Sequence, residues 1–269
     1  MQPELEILIS TMERDNLDWL RRMFPGGYEG LHLLIVNQSE HGRRIDESHL
    51  PSRIRVINLP GKGLSRSRNV ALENAVGRFL LLADDDGEYF PGFEQNVIRA
   101  HRRWDEPVII FPFLNETGRP WGDHRSQSYL MQRVEHIYSP QISFKKEFWT
   151  SSDLRFNENF GLGTSLPDGE NYILFSLMKR RGIPIRYAGG DPIGRHPEVN
   201  SSFYIQRPGN IKARLAAYKY LYGAAVYPYF AKLMFFLLRK RMIRPGEIPH
   251  YAHWLLHWAP GREAEASEN

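Results

Sequence analysis

Phe79-Leu80-Leu81-Leu82-Ala83-Asp84-Asp85-Asp86 is the stretch that decides the fold. Its apolar run, with no polar alternation, reads as a strand buried on both faces, the pattern of a parallel sheet covered by helices. Three adjacent carboxylates cannot follow it into that core, because an unpaired buried charge is very costly. The strand must end at the triplet, where water or a cation begins. In an open parallel sheet that place is the ligand crevice. Clustered carboxylates call for a hard divalent cation, and a diphosphate is that cation's natural second partner. The plainer reading is a solvated acidic turn, and the position at the end of this strand weighs against it.

Working outward, residues 5–10 form a first expected strand, stopping at Ser10-Thr11. A helix is expected over 16–23, broken by Pro25-Gly26-Gly27. Residues 31–36 read as a second strand ending in Asn37-Gln38-Ser39, and 54–59 as a third. A helix over 65–76 places Leu64, Ala71, Leu72 and Ala75 on one stripe. A helix over 92–104 and a strand over 108–113 follow the triplet. Strands alternating with helices indicate βαβ units and a mostly parallel central sheet flanked by helices. Ser10-Thr11, Asn37-Gln38-Ser39 and Asp84–Asp86 all fall at carboxyl ends of strands, on one edge of that sheet. Residues 115–140 read as a long polar loop, 141–144 as a strand, 167–181 as a helix and 185–188 as a short strand.

The chain has 269 residues, 42% of them hydrophobic, enough for one large domain with or without an appendage. It has no cysteine, so disulfides and thiolate metal sites are excluded. A net charge of +4 is too small to argue for nucleic acid, and none is expected as a partner. The N-terminus lacks a basic segment followed by an apolar one, so no signal peptide is expected. No stretch is expected to reach the roughly 18 apolar residues that span a bilayer. These features are compatible with a cytoplasmic protein.

Gly61-Lys62-Gly63-Leu64-Ser65-Arg66-Ser67-Arg68-Asn69 is a glycine-bearing loop that opens a helix. Free backbone N–H groups and the helix dipole favour a phosphate there, and Arg66 or Arg68 can add charge-assisted bonds. The spacing matches neither a Walker A loop nor a dinucleotide fingerprint. The alternative is an ordinary helix start with two solvated arginines.

The order strand–Ser-Thr, strand–polar end, G-x-S-x-x-R-N helix and apolar strand–Asp-x-Asp, with Pro91 shortly after, resembles the family 2 glycosyltransferases. The likeness runs over about residues 5–200 and is nearest to bacterial enzymes that build capsular or lipopolysaccharide chains. It implies a GT-A-like (nucleotide-diphospho-sugar transferase) α/β fold. It also implies a metal-dependent, inverting transfer of sugar from a nucleotide-sugar to an acceptor hydroxyl, in bacterial surface polysaccharide synthesis. The expected donor is a UDP-sugar, the acceptor an oligosaccharide or lipid-linked chain, and the cofactor Mn2+ or Mg2+. By position, Ser10, Thr11 and Asn37 would hold base and ribose; many relatives carry Asp where Asn37 stands. Gly63, Arg66, Arg68 and Asn69 would lie at the donor, with Arg68 near the diphosphate. Asp86 would be the direct metal ligand, with Asp84 nearer the ribose and Asp85 between them. His196, in Gly194-Arg195-His196-Pro197, is a further metal or diphosphate ligand by analogy with some relatives, although a lone histidine is more often structural.

On the acceptor side the resemblance falls on 155–163, including Gly161 and Gly163. In Asp168-Gly169-Glu170-Asn171, inverting relatives place Gly-Glu-Asp and use a carboxylate as general base. Asn171 cannot take a proton, which leaves Glu170 as the base and Asp168 as the alternative, the latter also a normal helix-start acid. The implied organisation is a catalytic domain over 1–207, with a nucleotide-sugar half over 1–115 and an acceptor half over 116–207. A helical C-terminal extension covers 208–260 and a frayed acidic tail 261–269.

Within the extension Ile211, Leu215, Tyr218 and Tyr222 mark one amphipathic helix. Phe230, Leu233, Met234, Leu237 and Leu238 mark another, followed by Arg239-Lys240-Arg241 and Arg244. Aromatic residues beside a basic cluster fit an interfacial helix on an anionic leaflet, at the inner face of the plasma membrane. The alternative is a helix docked on the domain or on a second subunit, and the oligomeric state stays open. Two other functions fit paired acids and a metal less well: a nucleotidyltransferase, which lacks its triphosphate loop here, and a catalytically degraded nucleotide- or sugar-binding subunit, favoured by Asn37 and Asn171.

Overall fold

The computed structural model describes residues 2–122, 126–197 and 205–259; the tail expected over 261–269 lies outside them. Four parallel strands form one half of the central sheet: β1 (Leu5–Met12), β2 (Leu33–Ser39), β3 (Ile54–Pro60) and β4 (Phe79–Asp84). Every residue of β2, and all of β1 but Met12, is buried, as the unbroken apolar runs require. The sheet order is β3-β2-β1-β4-β8-β6-β9-β7, with β6 (Val108–Ile110), β7 (Tyr129–Leu130), β8 (Ile142–Lys145) and β9 (Ile185–Tyr187) completing it. β8 runs antiparallel between β4 and β6, and β7 antiparallel on β9. A separate antiparallel ribbon joins β5 (Glu88–Tyr89) to β10 (Gly194–Arg195).

Helices cover both faces. α1 (Leu20–Met23) and α3 (Phe93–Arg103) close one, where Leu20, Met23 and Val97 join Ile7, Ile35 and Leu81. α2 (Leu64–Asn74), α4 (Lys146–Ser151) and α5 (Glu170–Arg180) close the other, where Leu72, Trp149, Leu174 and Phe175 join Leu8, Leu34 and Leu82. Helix α1 is shorter than expected. Asn16 turns back on the backbone N–H of Asp18, so the helix begins only after that Asx turn.

The extension comprises α6 (Pro208–Tyr222), α7 (Tyr227–Arg239) and α8 (Ile248–His257). It shares a core with α5 and the segment before it: Phe160, Leu166 and Ile173 pack with Ala213, Ala217, Leu221 and Trp258. Lys219 Nζ donates to the carbonyls of Leu255, Leu256 and Trp258, closing the C-terminal end of α8. The run 208–239 is long and apolar enough to cross a bilayer by length and composition. This corrects the expectation that no stretch is, since Lys232 interrupts a consecutive apolar count but not an averaged one. The helix is nevertheless broken by a 3-10 turn at Gly223–Val226.

Candidate functional site

Strand register builds the first row of the site. Ser10 lies beside Val36 and Asp84, and Thr11 beside Asn37, which lies beside Asn58. Parallel strands thus bring residues from four separate segments to one sheet edge. Asn37 is fully buried and its amide is committed. It accepts from the backbone N–H of Arg14 and donates to Arg14 O and Asn58 Oδ1.

The triplet divides into three roles. Asp84 Oδ1 accepts from Arg68 Nη2 at 2.9 Å. Asp85 accepts from Thr11 Oγ1 at 2.5 Å and from Arg14 Nη2 at 2.8 Å, so the middle acid ties the β4 turn to the end of β1. Arg14 also lies over the Trp19 ring, and it carries no periodic or motif signal that would have singled it out. Asp86 Oδ1 stands 2.9 Å from His196 Nε2. The β5–β10 ribbon makes that approach, since pairing Arg195 with Glu88 sets the following His196 beside the triplet.

Arg68 is 2% exposed although it sits on a helix start. Its second arm, Nη1, donates to Glu170 Oε1 at 3.1 Å, and its guanidinium lies over the Phe156 ring. Both arms are spoken for by carboxylates, so the guanidinium is a bridge between Asp84 and Glu170 rather than a free phosphate ligand. Burial pushes the Glu170 carboxyl above its ordinary range; Arg68 opposes this and Asp168 adds to it. Burial also raises Asp84, again with Arg68 opposing and Asp86 adding. Asp168 lies outside the pair: it accepts from the Gly169 N–H and meets Arg214 Nε of α6 at 3.3 Å.

The helix α2 start is covered. Leu64 N–H donates to Leu162 O, Ser65 Oγ to Phe160 O, and Arg66 Nη1 to Pro60 O. The expectation of free N–H groups there is corrected at Leu64, because the loop carrying Gly161 and Gly163 lies directly on it. A Cβ at Gly163 would come 3.0 Å from Gly63 N, and its φ is +87°, so glycine is required twice over. Asn69, expected at the donor, pins the 156–163 segment: it donates to Phe156 O and accepts from Phe156 N–H, each at 2.9 Å.

Asp86 Oδ1 is buried and accepts no hydrogen bond. A carboxylate oxygen and an imidazole nitrogen 2.9 Å apart are donors suited to a shared divalent ion. No cluster of three or more such side chains gathers among the described residues. A two-ligand set fits an ion that takes its remaining ligands from substrate phosphates and water. A hollow of about 540 Å3 lies behind α3, lined by Arg99, Arg103 and Trp104, and touches none of these residues.

Fold and cluster together define a GT-A-like α/β protein with an acidic site at the carboxyl ends of its strands. The chain belongs to glycosyl transferase family 2, whose model matches residues 16–166. The match ends before Asp168 and Glu170. Among solved structures it is similar to S. aureus TarS 1-349, at 15% identity and TM-score 0.50, over 80% of this chain and 65% of that one. Complexes of TarS 1-349 with UDP and with UDP-GlcNAc are similar at TM-score 0.50, with 15% and 14% identity, over 80% of this chain and 65% and 66% of theirs. The chain spans 40% of the longer TarS structure. A search of curated proteins finds no match.

Proposed function

We propose that the protein transfers a sugar from a nucleotide-sugar to an acceptor hydroxyl by a single in-line displacement with inversion. One observation carries the reading: Asp84 on the donor side and Glu170 on the acceptor side meet at one buried guanidinium. A displacement needs positive charge at the leaving group and a base at the incoming hydroxyl; in this reading Asp84 stands beside the cation that serves the first, and Glu170 is the second. Glu170 takes the hydroxyl proton. Burial strengthens it as a base, while Arg68 favours its ionised form. Asp168, held by Arg214, is the alternative base. A Mn2+ or Mg2+ ion held by Asp86 and His196, with Asp84 beside them, would neutralise the leaving diphosphate.

The UDP and UDP-GlcNAc complexes of TarS support a UDP-sugar donor. In this reading Ser10 and Thr11 lie beside the base and ribose. With the Asn37 amide committed, the adjoining hollow of about 470 Å3, lined by Ser39, Arg43, Arg44, Asn58 and Gly61, is the better base pocket. The acceptor we favour is a lipid-linked oligosaccharide of a bacterial surface polysaccharide, met at the inner face of the plasma membrane.

The test is UDP release from UDP-sugars with and without Mn2+, beside calorimetry of UDP binding. Wild-type protein should turn over only with metal. Asp86→Asn should lose turnover by orders of magnitude and lose metal-dependent binding, with its melting temperature unchanged. A folded wild type that binds UDP without turning any donor over would point to the degraded binding subunit. Full activity in Asp86→Asn would remove the metal assignment.

A further inference from the structure

Helix α7 is apolar on two faces, and only one is covered. Leu233, Met234 and Leu237 are buried against Ile211, Leu215, Tyr251 and Leu255. These are the positions of the expected membrane-facing stripe, so that stripe is the docked face. The opposite face consists of two neighbouring i, i+4 rows. One is Tyr227, Ala231, Phe235 and Arg239; the other is Pro228, Lys232, Phe236 and Lys240. All eight are exposed, Phe235 at 67%, Tyr227 at 55% and Phe236 at 40%. An exposed face that mixes aromatic rings with cations suits a boundary between apolar and polar surroundings, and this helix has protein on one side only.

Charge selects the occupant. No Asp or Glu occurs from 205 to 246, while Arg239 and Lys240 end the two rows and Arg241 and Arg244 follow. Among the described residues no side chain of Lys232, Arg239, Lys240, Arg241 or Arg244 forms an ion pair with a carboxylate, although the Arg244 backbone N–H donates to Glu247 Oε2. A second copy docking through this face about a two-fold axis would set like charges against each other. An anionic lipid surface meets both needs, taking the rings at the headgroup boundary and the cations among phosphates.

We infer that this face, Tyr227, Phe235 and Phe236 with the basic residues 239–244, is a peripheral binding surface for an anionic bilayer. The helix lies in the interface plane with its buried side on the protein. Since α6 touches both α7 and the start of α5, such binding would hold the Glu170 end of the site at a fixed height above the membrane. The surface itself is independent of the proposed transfer chemistry.

The experiment is sedimentation of the full chain with phosphatidylcholine vesicles, plain or with about a third phosphatidylglycerol. Wild type should partition to the anionic vesicles about tenfold or more better than to neutral ones, and about molar salt should release it by screening. Phe235→Ser with Phe236→Ser should lower partitioning about tenfold with melting unchanged, because both rings are exposed. Changing Lys232, Arg239, Lys240, Arg241 and Arg244 to Gln should abolish the preference for anionic lipid. Equal binding to both vesicle types, salt-resistant binding, or a serine pair that binds like wild type overturns the inference. So does a wild-type dimer, seen by light scattering, that the serine pair dissociates, since a second copy would then cover the face. The vesicle readout does not depend on turnover, so its failure is distinguishable from failure of the transferase reading.

Discussion

The proposed donor and acceptor sides of the site are assembled by different forces. On the donor side, Ser10, Asn37 and Asp84 are neighbours because strands β1, β2 and β4 pair in one parallel register. Backbone hydrogen bonds and two buried cores set that row, and no single side chain holds it. On the acceptor side, Glu170 and the 156–163 segment come from far along the chain and are held by side-chain latches. Arg68 grips Glu170, Asn69 grips Phe156, and Ser65 grips Phe160. All three latches stand on α2, so this one helix serves as the strut between the two sides. A register tolerates side-chain changes that a latch does not.

The sharpest way to break this comparison is at the base. Glu170→Gln should lower turnover by about 10²–10⁴-fold while leaving donor affinity near wild type, because register, not Glu170, shapes the donor row. Asp168→Asn should cost about tenfold at most, since its partner Arg214 is a half-exposed surface cation. The reverse ranking in steady-state kinetics would transfer the base to Asp168.

Next in size is the latch at Asn69. Asn69→Ala leaves the buried Phe156 N–H and C=O unpaired, a loss on the order of 2–4 kcal/mol by urea melts. Turnover should fall with it, and UDP affinity should hold. If UDP affinity collapses while stability does not, Asn69 touches the donor as its motif position suggests.

The smallest effect probes the sheet. His101 of α3 is buried on the Phe79 ring, its Nε2 2.8 Å from Ser143 Oγ, which donates to Leu80 O. With the Ser143 hydroxyl proton directed to Leu80 O, His101 meets the hydroxyl oxygen with a proton on Nε2. Burial, helped by the Lys145 charge, lowers its pKa from 6.5 to about 3. The native state binds that proton less tightly than the unfolded chain. The stabilising contribution is therefore full above about pH 6.5 and is lost as pH falls toward 3, on the order of 2 kcal/mol by pH 5. His101→Gln should flatten that slope in melts at a series of pH values and leave kinetics at neutral pH unaltered.

The donor row was legible in sequence for a physical reason. Five apolar residues followed by three acids fit a buried strand meeting its end better than a solvated acidic turn, and two other polar clusters stood at comparable ends. Direction and neighbour are not written in an apolar run, so nothing in Ile142–Lys145 tells that β8 inserts antiparallel between β4 and β6. The approach of His196 to Asp86 depends on a two-residue ribbon with no periodicity to detect. The stripe on α7 was legible as apolar, but periodicity cannot say which of two apolar faces the protein keeps for itself. Arg68 was legible as a charged motif residue. Its commitment to two carboxylates was not, because one of them is a hundred residues away along the chain.

The position of β8 also bears on how the chain is made. β1 to β4 pair only with one another on one side, so that half can assemble once residue 84 has been synthesised. The free edge of β4 and both edges of β6 must wait for residues 142–145 and 185–187. At about 5–20 residues per second, roughly 3–12 seconds separate the emergence of β4 from that of β8. For that time a fully apolar strand edge stands open on the ribosome. A nascent chain arrested between the two should recruit chaperones, and one arrested beyond β9 should not.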